Sequence, residues 1–255
     1  MTNSTLKTQN ATLAIAALLL LAGLALVGVA VRGALVPRVR VLFIGNSHTF
    51  VNDLPGQLTA LASQAGEQPL ATETVAVGGA TLRDHWQQGR ALERIRAGGW
   101  DYVVLQDQSQ RPLLDPEGMA ADVRRFDEEI RKAGARTVLY ITWTHQAEQR
   151  LQRQITAAYR RIAAERGALV APVGPAWQEA LRRQPRLALY QPDQIHAAPA
   201  GTYLAAYVFY ATLFGRSPAG LDAPRAGDIF TAEQRSVAQQ AAWSAAQAGN
   251  TPQRR

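Results

Sequence analysis

The sequence has no cysteine. That removes disulfides, thiol nucleophiles and thiolate metal sites, and it leaves the redox compartment open. Only four histidines are present, His48, His85, His145 and His196. No two of them share a ligand-like spacing, so no metal ion is expected. No internal repeat and no long low-complexity segment interrupts the chain. Basic and aromatic residues are not interleaved in the manner that stacks bases. The arginines, among them Arg124, Arg125, Arg131, Arg150, Arg153, Arg160 and Arg161, lie along polar helical faces with glutamates between them. Nucleic acid is therefore not an expected partner, despite a formal net charge of +7.

What is present suffices for one good core: 255 residues, 47% of them hydrophobic, which reads as one domain or two at most. Thr8 to Val31 carries no charge, and Ala11 to Val31 is almost wholly apolar. At about 1.5 Å per residue such a stretch reaches across a hydrocarbon core of about 30 Å. It is long for the apolar part of a signal peptide, about 7–15 residues, and no clear small-x-small cleavage site precedes Arg32. An uncleaved transmembrane helix over about residues 11–31 is expected, with a cleaved signal peptide as runner-up. The folded part is then expected outside the cytoplasm, although Arg32, Arg38 and Arg40 after the span are not what the positive-inside rule favours there. Residues 1–37 comprise stub, anchor and linker, residues 38–250 form one domain, and residues 251–255 are expected to be a disordered tail.

The domain alternates strand-like and helix-like stretches. Strands are expected from Val39, over Leu70–Val77, Asp101–Leu105 and Arg136–Thr142, and at Ala168–Pro172. Helices are expected behind Leu54, over Leu82–Ile95, Pro116–Ala133, Ala147–Arg166, Gly174–Arg183 and Pro199–Phe214. A last helix, Thr231–Ala248, opens with the capping-box pattern Thr231-x-x-Gln234 and stops at Gly249. Such alternation implies an α/β fold with a parallel sheet covered on both faces.

One stretch organises the rest: Val39-Arg40-Val41-Leu42-Phe43-Ile44-Gly45-Asn46-Ser47-His48-Thr49. The apolar run is a buried strand, Gly45-Asn46 supplies a tight turn, and Ser47 stands where the chain leaves the sheet for a helix. Ligands of open parallel sheets bind at this carboxyl edge. A serine hydroxyl is a poor nucleophile unless a base adjoins it, usually a histidine oriented by a carboxylate. Asp193-Gln194-Ile195-His196 offers such a pair, with Asp193 able to take one ring nitrogen and leave the other to face Ser47. Acyl transfer also needs donors aimed at an oxyanion. The Ser47 N–H, the turn Val77-Gly78-Gly79-Ala80-Thr81 and the side-chain amides of Gln106-Asp107-Gln108-Ser109 all fall at strand ends on the same side. Taken singly, a cap, a turn or a polar loop accounts for each of these stretches; their coincidence does not follow from punctuation. His48, His85, Trp86, Trp143 and His145 are candidates for lining a substrate pocket.

Together these blocks resemble the SGNH (GDSL-like) hydrolases. Gly45-Asn46-Ser47-His48-Thr49 is similar to the family's first block, Gly79 to the glycine of the second, and Asp193-Gln194-Ile195-His196 to the Asp-x-x-His of the last. Gly201-Thr202-Tyr203-Leu204-Ala205 continues in the family's manner. The resemblance spans about residues 39–215. It implies a flavodoxin-like three-layer α/β/α sandwich with Ser47, Asp193 and His196 as catalytic residues, and with Ser47, Gly79 and Gln108 as the oxyanion hole. The third block departs: where the family carries an asparagine, Leu105-Gln106-Asp107-Gln108-Ser109 stands. Gln108 is then the substitute donor, with Gln106 as the other candidate. The expected activity is serine esterase, acting on a small-molecule or glycan ester with a short acyl group, without a cofactor. A catalytically inactive binding module of the same fold and a membrane-associated lipase are the alternatives. The oligomeric state is left open.

Overall fold

A computed structural model describes residues 38–222 and 229–250. The expected transmembrane helix, most of the linker, the tail 251–255 and part of the loop expected after Ala219 lie outside the described residues. Among those that are described, no helix is long and apolar enough to cross a membrane.

Five strands and ten α-helices are described: β1 (Val39–Gly45), α1 (Ser47–Phe50), α2 (Leu54–Gln64), β2 (Leu70–Ala76), α3 (Leu82–Gln88), α4 (Arg90–Arg96), β3 (Tyr102–Leu105), α5 (Arg111–Leu114), α6 (Pro116–Lys132), β4 (Arg136–Tyr140), α7 (Gln152–Arg166), β5 (Leu169–Ala171), α8 (Val173–Arg183), α9 (Pro199–Phe214) and α10 (Ala232–Asn250). The strands form one parallel sheet in the order β2-β1-β3-β4-β5. This is the doubly wound flavodoxin-like order, whose topological switch point lies between β1 and β3.

The strands are apolar on both sides because both faces are covered. Alternate residues feed two cores. Val41, Phe43, Val104, Val138 and Tyr140 join α2, α8, α9 and α10 on one face. Leu42, Ile44, Val103, Leu105 and Leu139 join α3, α4, α6 and α7 on the other. Helix α9 is apolar all round, and every residue from Ala200 to Ala211 is buried. It lies between the sheet and α10, so it has no solvent face to make polar.

Two helices differ from the sequence pattern. The stretch Leu82–Ile95 is broken at Gly89, whose φ of +79° ends α3 in a left-handed cap before α4 begins. Residues Gln146–Leu151 form a 3-10 stretch with Glu148 outside helical geometry, so the long helix starts only at Gln152. The capping box at Thr231 is formed: Gln234 N–H donates to Thr231 Oγ1 at 3.2 Å, and Thr231 N–H to Gln234 Oε1 at 2.9 Å.

Candidate active site

Ser47 is delivered by the end of β1. A Cβ on Gly45 would run into Gln106 Oε1 and Thr49 Oγ1, so the strand must end in glycine for the turn to close against β3. Asn46 caps α1. Its Oδ1 accepts from His48 N–H at 3.1 Å, its Nδ2 donates to Ala80 O at 3.0 Å, and its own N–H donates to Gln106 Oε1 at 2.8 Å. The residue before Ser47 is thus tied to three segments, which fixes the serine's position. Ser47 opens α1, and no acceptor among the described residues meets its N–H.

His196 comes from the turn before α9. Asp193 Oδ1 accepts from the N–H groups of Ile195 (3.0 Å) and His196 (2.9 Å), an Asx-type turn closed with Gln194 at φ +61°. Asp193 Oδ2 lies 2.6 Å from His196 Nδ1, and His196 Nε2 lies 2.9 Å from Ser47 Oγ. The His196 ring and the two backbone donors hold the Asp193 carboxyl down to about 2. The carboxylate therefore accepts the Nδ1 proton and leaves the Nε2 lone pair toward the Ser47 hydroxyl, an assignment made from the hydrogen-bond pattern. The turn is anchored from outside. Asn52 Nδ2 donates to Ala197 O at 2.8 Å, Gln191 N–H to His196 O at 2.8 Å, and Trp143 Nε1 to Ile195 O at 2.8 Å.

Ser47, Gly78, Gly79, Gln108 and His196 line one depression. Gly79 has φ +70°, and neither its Cβ position nor that of Gly78 meets anything within 4 Å. The backbone there is open to a ligand, and Gly79 N–H has no acceptor among the described residues. The two glutamines separate cleanly. Gln106 is fully buried and committed: its Oε1 accepts from Asn46 N–H and Thr49 Oγ1, and its Nε2 donates to Asp107 O at 2.5 Å. Gln108 Oε1 accepts from the N–H groups of Gln110 (2.8 Å) and Arg111 (3.1 Å), which steadies the side chain and leaves its NH2 uncommitted.

The candidate pocket residues divide. His48 lines the depression and packs its ring 4.9 Å from Trp143 and 5.7 Å from His196. Burial, then the neighbouring His196, lowers its pKa to about 4, so it is neutral near pH 7. Trp143 and His145 border a second cavity that adjoins the first. His85 does not reach either. Helix α3 turns it inward behind the β1 turn, where its Nε2 meets Gly45 O at 2.7 Å and burial lowers its pKa. Trp86 also stands elsewhere, edge-on to Phe126 with Arg125 over its ring. Among the described residues no group of three or more His, Asp or Glu could hold a metal ion.

Sequence reasoning missed the support beneath the loop after β3. Asp107, fully buried, accepts from the N–H groups of Leu82 (3.0 Å) and Gln108 (2.8 Å), so one carboxylate joins the glycine turn to the glutamine loop. Burial raises its pKa, and hydrogen bonds and the Arg111 charge oppose that shift. Arg111 reaches Asp107 at 3.4 Å, Asp115 at 3.3 Å and Asp122 at 2.7 Å. The signal available was an arginine four residues after Asp107, but a solvated pair explains that spacing equally well.

A parallel sheet of this order with serine, histidine and aspartate in hydrogen-bond contact at its switch point is the arrangement of a serine ester hydrolase. No family model and no curated protein matches the sequence. Solved structures do. A protein of Slackia heliotrinireducens assigned to the SGNH hydrolases is 31% identical, with a TM-score of 0.59 over 69% of this chain and 100% of that one. A DUF4886 family protein of Bacteroides uniformis shares 18% identity and a TM-score of 0.66 over 82% and 95% of the two chains. An acetylxylan esterase of Geobacillus stearothermophilus, solved as a catalytic mutant, shares 18% identity and a TM-score of 0.53 over 67% and 93%. The last two show likeness of fold. The chain belongs to the SGNH hydrolases, and it is a hydrolase acting on esters.

Proposed function

We propose that the protein hydrolyses short-chain carboxylic esters through an acyl-serine intermediate, with Ser47 as nucleophile, His196 as general base and acid, and Asp193 as the group that orients the imidazole. The observation that carries this reading is the continuous relay Asp193 Oδ2–His196 Nδ1 (2.6 Å) and His196 Nε2–Ser47 Oγ (2.9 Å). Ser47 Oγ attacks the ester carbonyl as its proton passes to His196 Nε2. The tetrahedral oxyanion is met by the N–H groups of Ser47 and Gly79 and by Gln108 Nε2. The C–O bond to the alcohol breaks as His196 returns the proton to the leaving oxygen. Water, deprotonated by His196, then cleaves the acyl-serine. The short acyl group is supported by the open glycine side of the depression, where no described residue stands within 4 Å of the Cβ positions of Gly78 and Gly79. The acetylxylan esterase among the structural neighbours is in keeping with an acetylated carbohydrate substrate.

The apolar stretch at residues 11–31 serves, in this proposal, as an uncleaved membrane anchor that holds the domain outside the cytoplasm. Protection of the domain from protease in intact spheroplasts would refute that placement. A lipase reading is favoured by one observation: the exposed large hydrophobics among the described residues all follow strands at the carboxyl edge, Phe50 and Leu114 at the ends of the short helices α1 and α5, Val77 and Ile195 in turns. The deciding experiment is hydrolysis of p-nitrophenyl esters from acetyl to long acyl chains, with fluorophosphonate labelling of wild type and Ser47→Ala. Ser47-dependent turnover that peaks at acetyl supports the proposal. A peak at long chains selects the lipase. Folded protein that neither turns over nor labels would refute the serine mechanism.

A further inference from the structure

Beside the serine lies a cavity of about 220 Å³ bounded by Gln110, Leu113, Trp143, Thr144, His145, Glu148 and Ile155; it shares His48, Gln108, Ser109 and Ile195 with the depression at Ser47. Its far wall, residues 143–148, is pinned to the histidine turn, since Trp143 Nε1 donates to Ile195 O and Gln146 N–H donates to Gln194 O at 3.0 Å. The cavity therefore adjoins His196, which must protonate the departing alcohol. Several of its hydrogen-bonding groups have no partner among the described residues: Ser109 Oγ, the Gln110 amide, Thr144 Oγ1, His145 Nε2 and the Glu148 carboxylate. Thr144 is the most constrained of them: it is 5% exposed, its N–H donates to Gln152 Oε1, and its carbonyl accepts from Tyr190 Oη. Leu113, Trp143 and Ile155 supply apolar surface between these groups. Among the described residues no lysine or arginine lines the cavity, although the chain is strongly basic.

We infer that this cavity receives the alcohol half of the ester and is built for a single polyhydroxylated, non-anionic ring, with Thr144 and Glu148 setting that specificity. An alkyl chain there would strip water from uncommitted polar groups and leave them unpaired, which is unfavourable. Hydroxyl groups would pair them, and the apolar strips match the C–H faces of a ring. The volume is small beside the roughly 300–1,000 Å³ of sites for larger ligands, so one ring fits better than an oligomer. Glu148, at the exposed rim, is the only acid among the described lining residues, and its position disfavours an alcohol that carries a carboxylate. The inference rests on the esterase reading above.

The test compares three acetyl esters: a mono-O-acetylated methyl glucoside, the corresponding acetylated methyl glucuronoside, and p-nitrophenyl acetate. Wild type is expected to favour the neutral ring over the anionic one by at least fivefold in kcat/KM. Glu148→Gln is expected to bring the two within about twofold. Thr144→Val, which keeps the side chain's shape, should lower the ratio of neutral-ring to p-nitrophenyl acetate kcat/KM by about tenfold, mainly through KM. Equal rates on the two rings in wild type, or ratios that neither substitution moves, would overturn the inference. So would Ser47-dependent turnover of p-nitrophenyl acetate without turnover of either ring, an outcome that leaves the esterase reading standing. Absence of Ser47-dependent hydrolysis and of fluorophosphonate labelling would remove that reading and this inference with it.

Discussion

Replacing Asp193 by asparagine changes the chemistry of one atom and almost nothing else. The bonds from Ile195 N–H and His196 N–H fall on Asp193 Oδ1, and the carbonyl oxygen of asparagine can keep both. The turn should therefore fold. At the other oxygen, 2.6 Å from His196 Nδ1, an NH2 group would stand. Two donors cannot share that contact, so the imidazole shifts its proton to Nε2 and loses the lone pair that faces Ser47. In serine-histidine-aspartate enzymes this change of tautomer costs about 10⁴ in kcat, or about 5 kcal/mol of transition-state stabilisation. The Asp193 side chain is 43% exposed here, so in Asp193→Ala water can accept from Nδ1 and preserve the working tautomer. Asp193→Asn is expected to lose about 10³–10⁴ in kcat for p-nitrophenyl acetate, and Asp193→Ala to be about tenfold more active than Asp193→Asn. Stopped-flow turnover, fluorophosphonate labelling rates and a thermal melt for each variant check this. An asparagine variant within tenfold of wild type, with its melt unchanged, would refute the proposed relay. Acid loss of activity does not come from Asp193 in wild type, because its carboxyl is held down to about 2. Being depressed in the folded state, it contributes stability above its ordinary value of 3.8, and that contribution is lost as pH falls through about 2.

Gln108→Ala should lower kcat by about 10²–10³ with little change in KM if its amide serves only the oxyanion; an equal rise in KM would place it in ground-state binding instead. His48→Phe keeps an aromatic ring against Trp143 but removes a titrating group. The folded pKa of His48 lies below its ordinary 6.5, at about 4, so its stabilisation is full above 6.5 and falls away between 6.5 and about 4. Urea unfolding at pH 7 and pH 4 should show wild type losing roughly 3 kcal/mol more than the variant over that window. Arg111→Met leaves the buried Asp107 and its network without their inner cation and should destabilise by about 3–5 kcal/mol. That loss should shrink as pH falls, because burial raises the Asp107 pKa and its protonation removes the uncompensated charge; a loss constant with pH would place the cost in packing.

Local chemistry was legible in the sequence, and the chemistry that depends on where strands end was not. The β1 run is legible because it is apolar on both faces, and the pairing of Asp193 with His196 is legible because its hydrogen bonds close within one turn. Gln106 and Gln108 are indistinguishable by pattern: same residue type, two positions apart, at the end of one strand. Their roles diverge because Gln106 N–H still donates to Ile44 O in the sheet ladder, which holds its side chain beneath the β1 turn, while Gln108 has left the sheet and faces the depression. His85 was misplaced for a related reason. Its position depends on the rotation of α3 from the Thr81 cap, and that carries it to Gly45 O behind the turn. The acidic and basic residues around Arg111 look like a solvated helical face, yet α5 and α6 fold them inward beneath the active loop. The helical charge pattern is the same whether the face is wet or dry, and burial alone decides whether Asp107 decorates the loop or holds it. What the site needs to be rigid is therefore supplied from below, by Gln106, Asp107 and Arg111. The groups proposed to react stand toward solvent, with the His196 and Asp193 side chains 32% and 43% exposed. Removing Arg111 should on this account disturb Gln108 and Gly79 before it disturbs the Asp193–His196 turn, which has its own anchors in Asn52, Gln191 and Trp143.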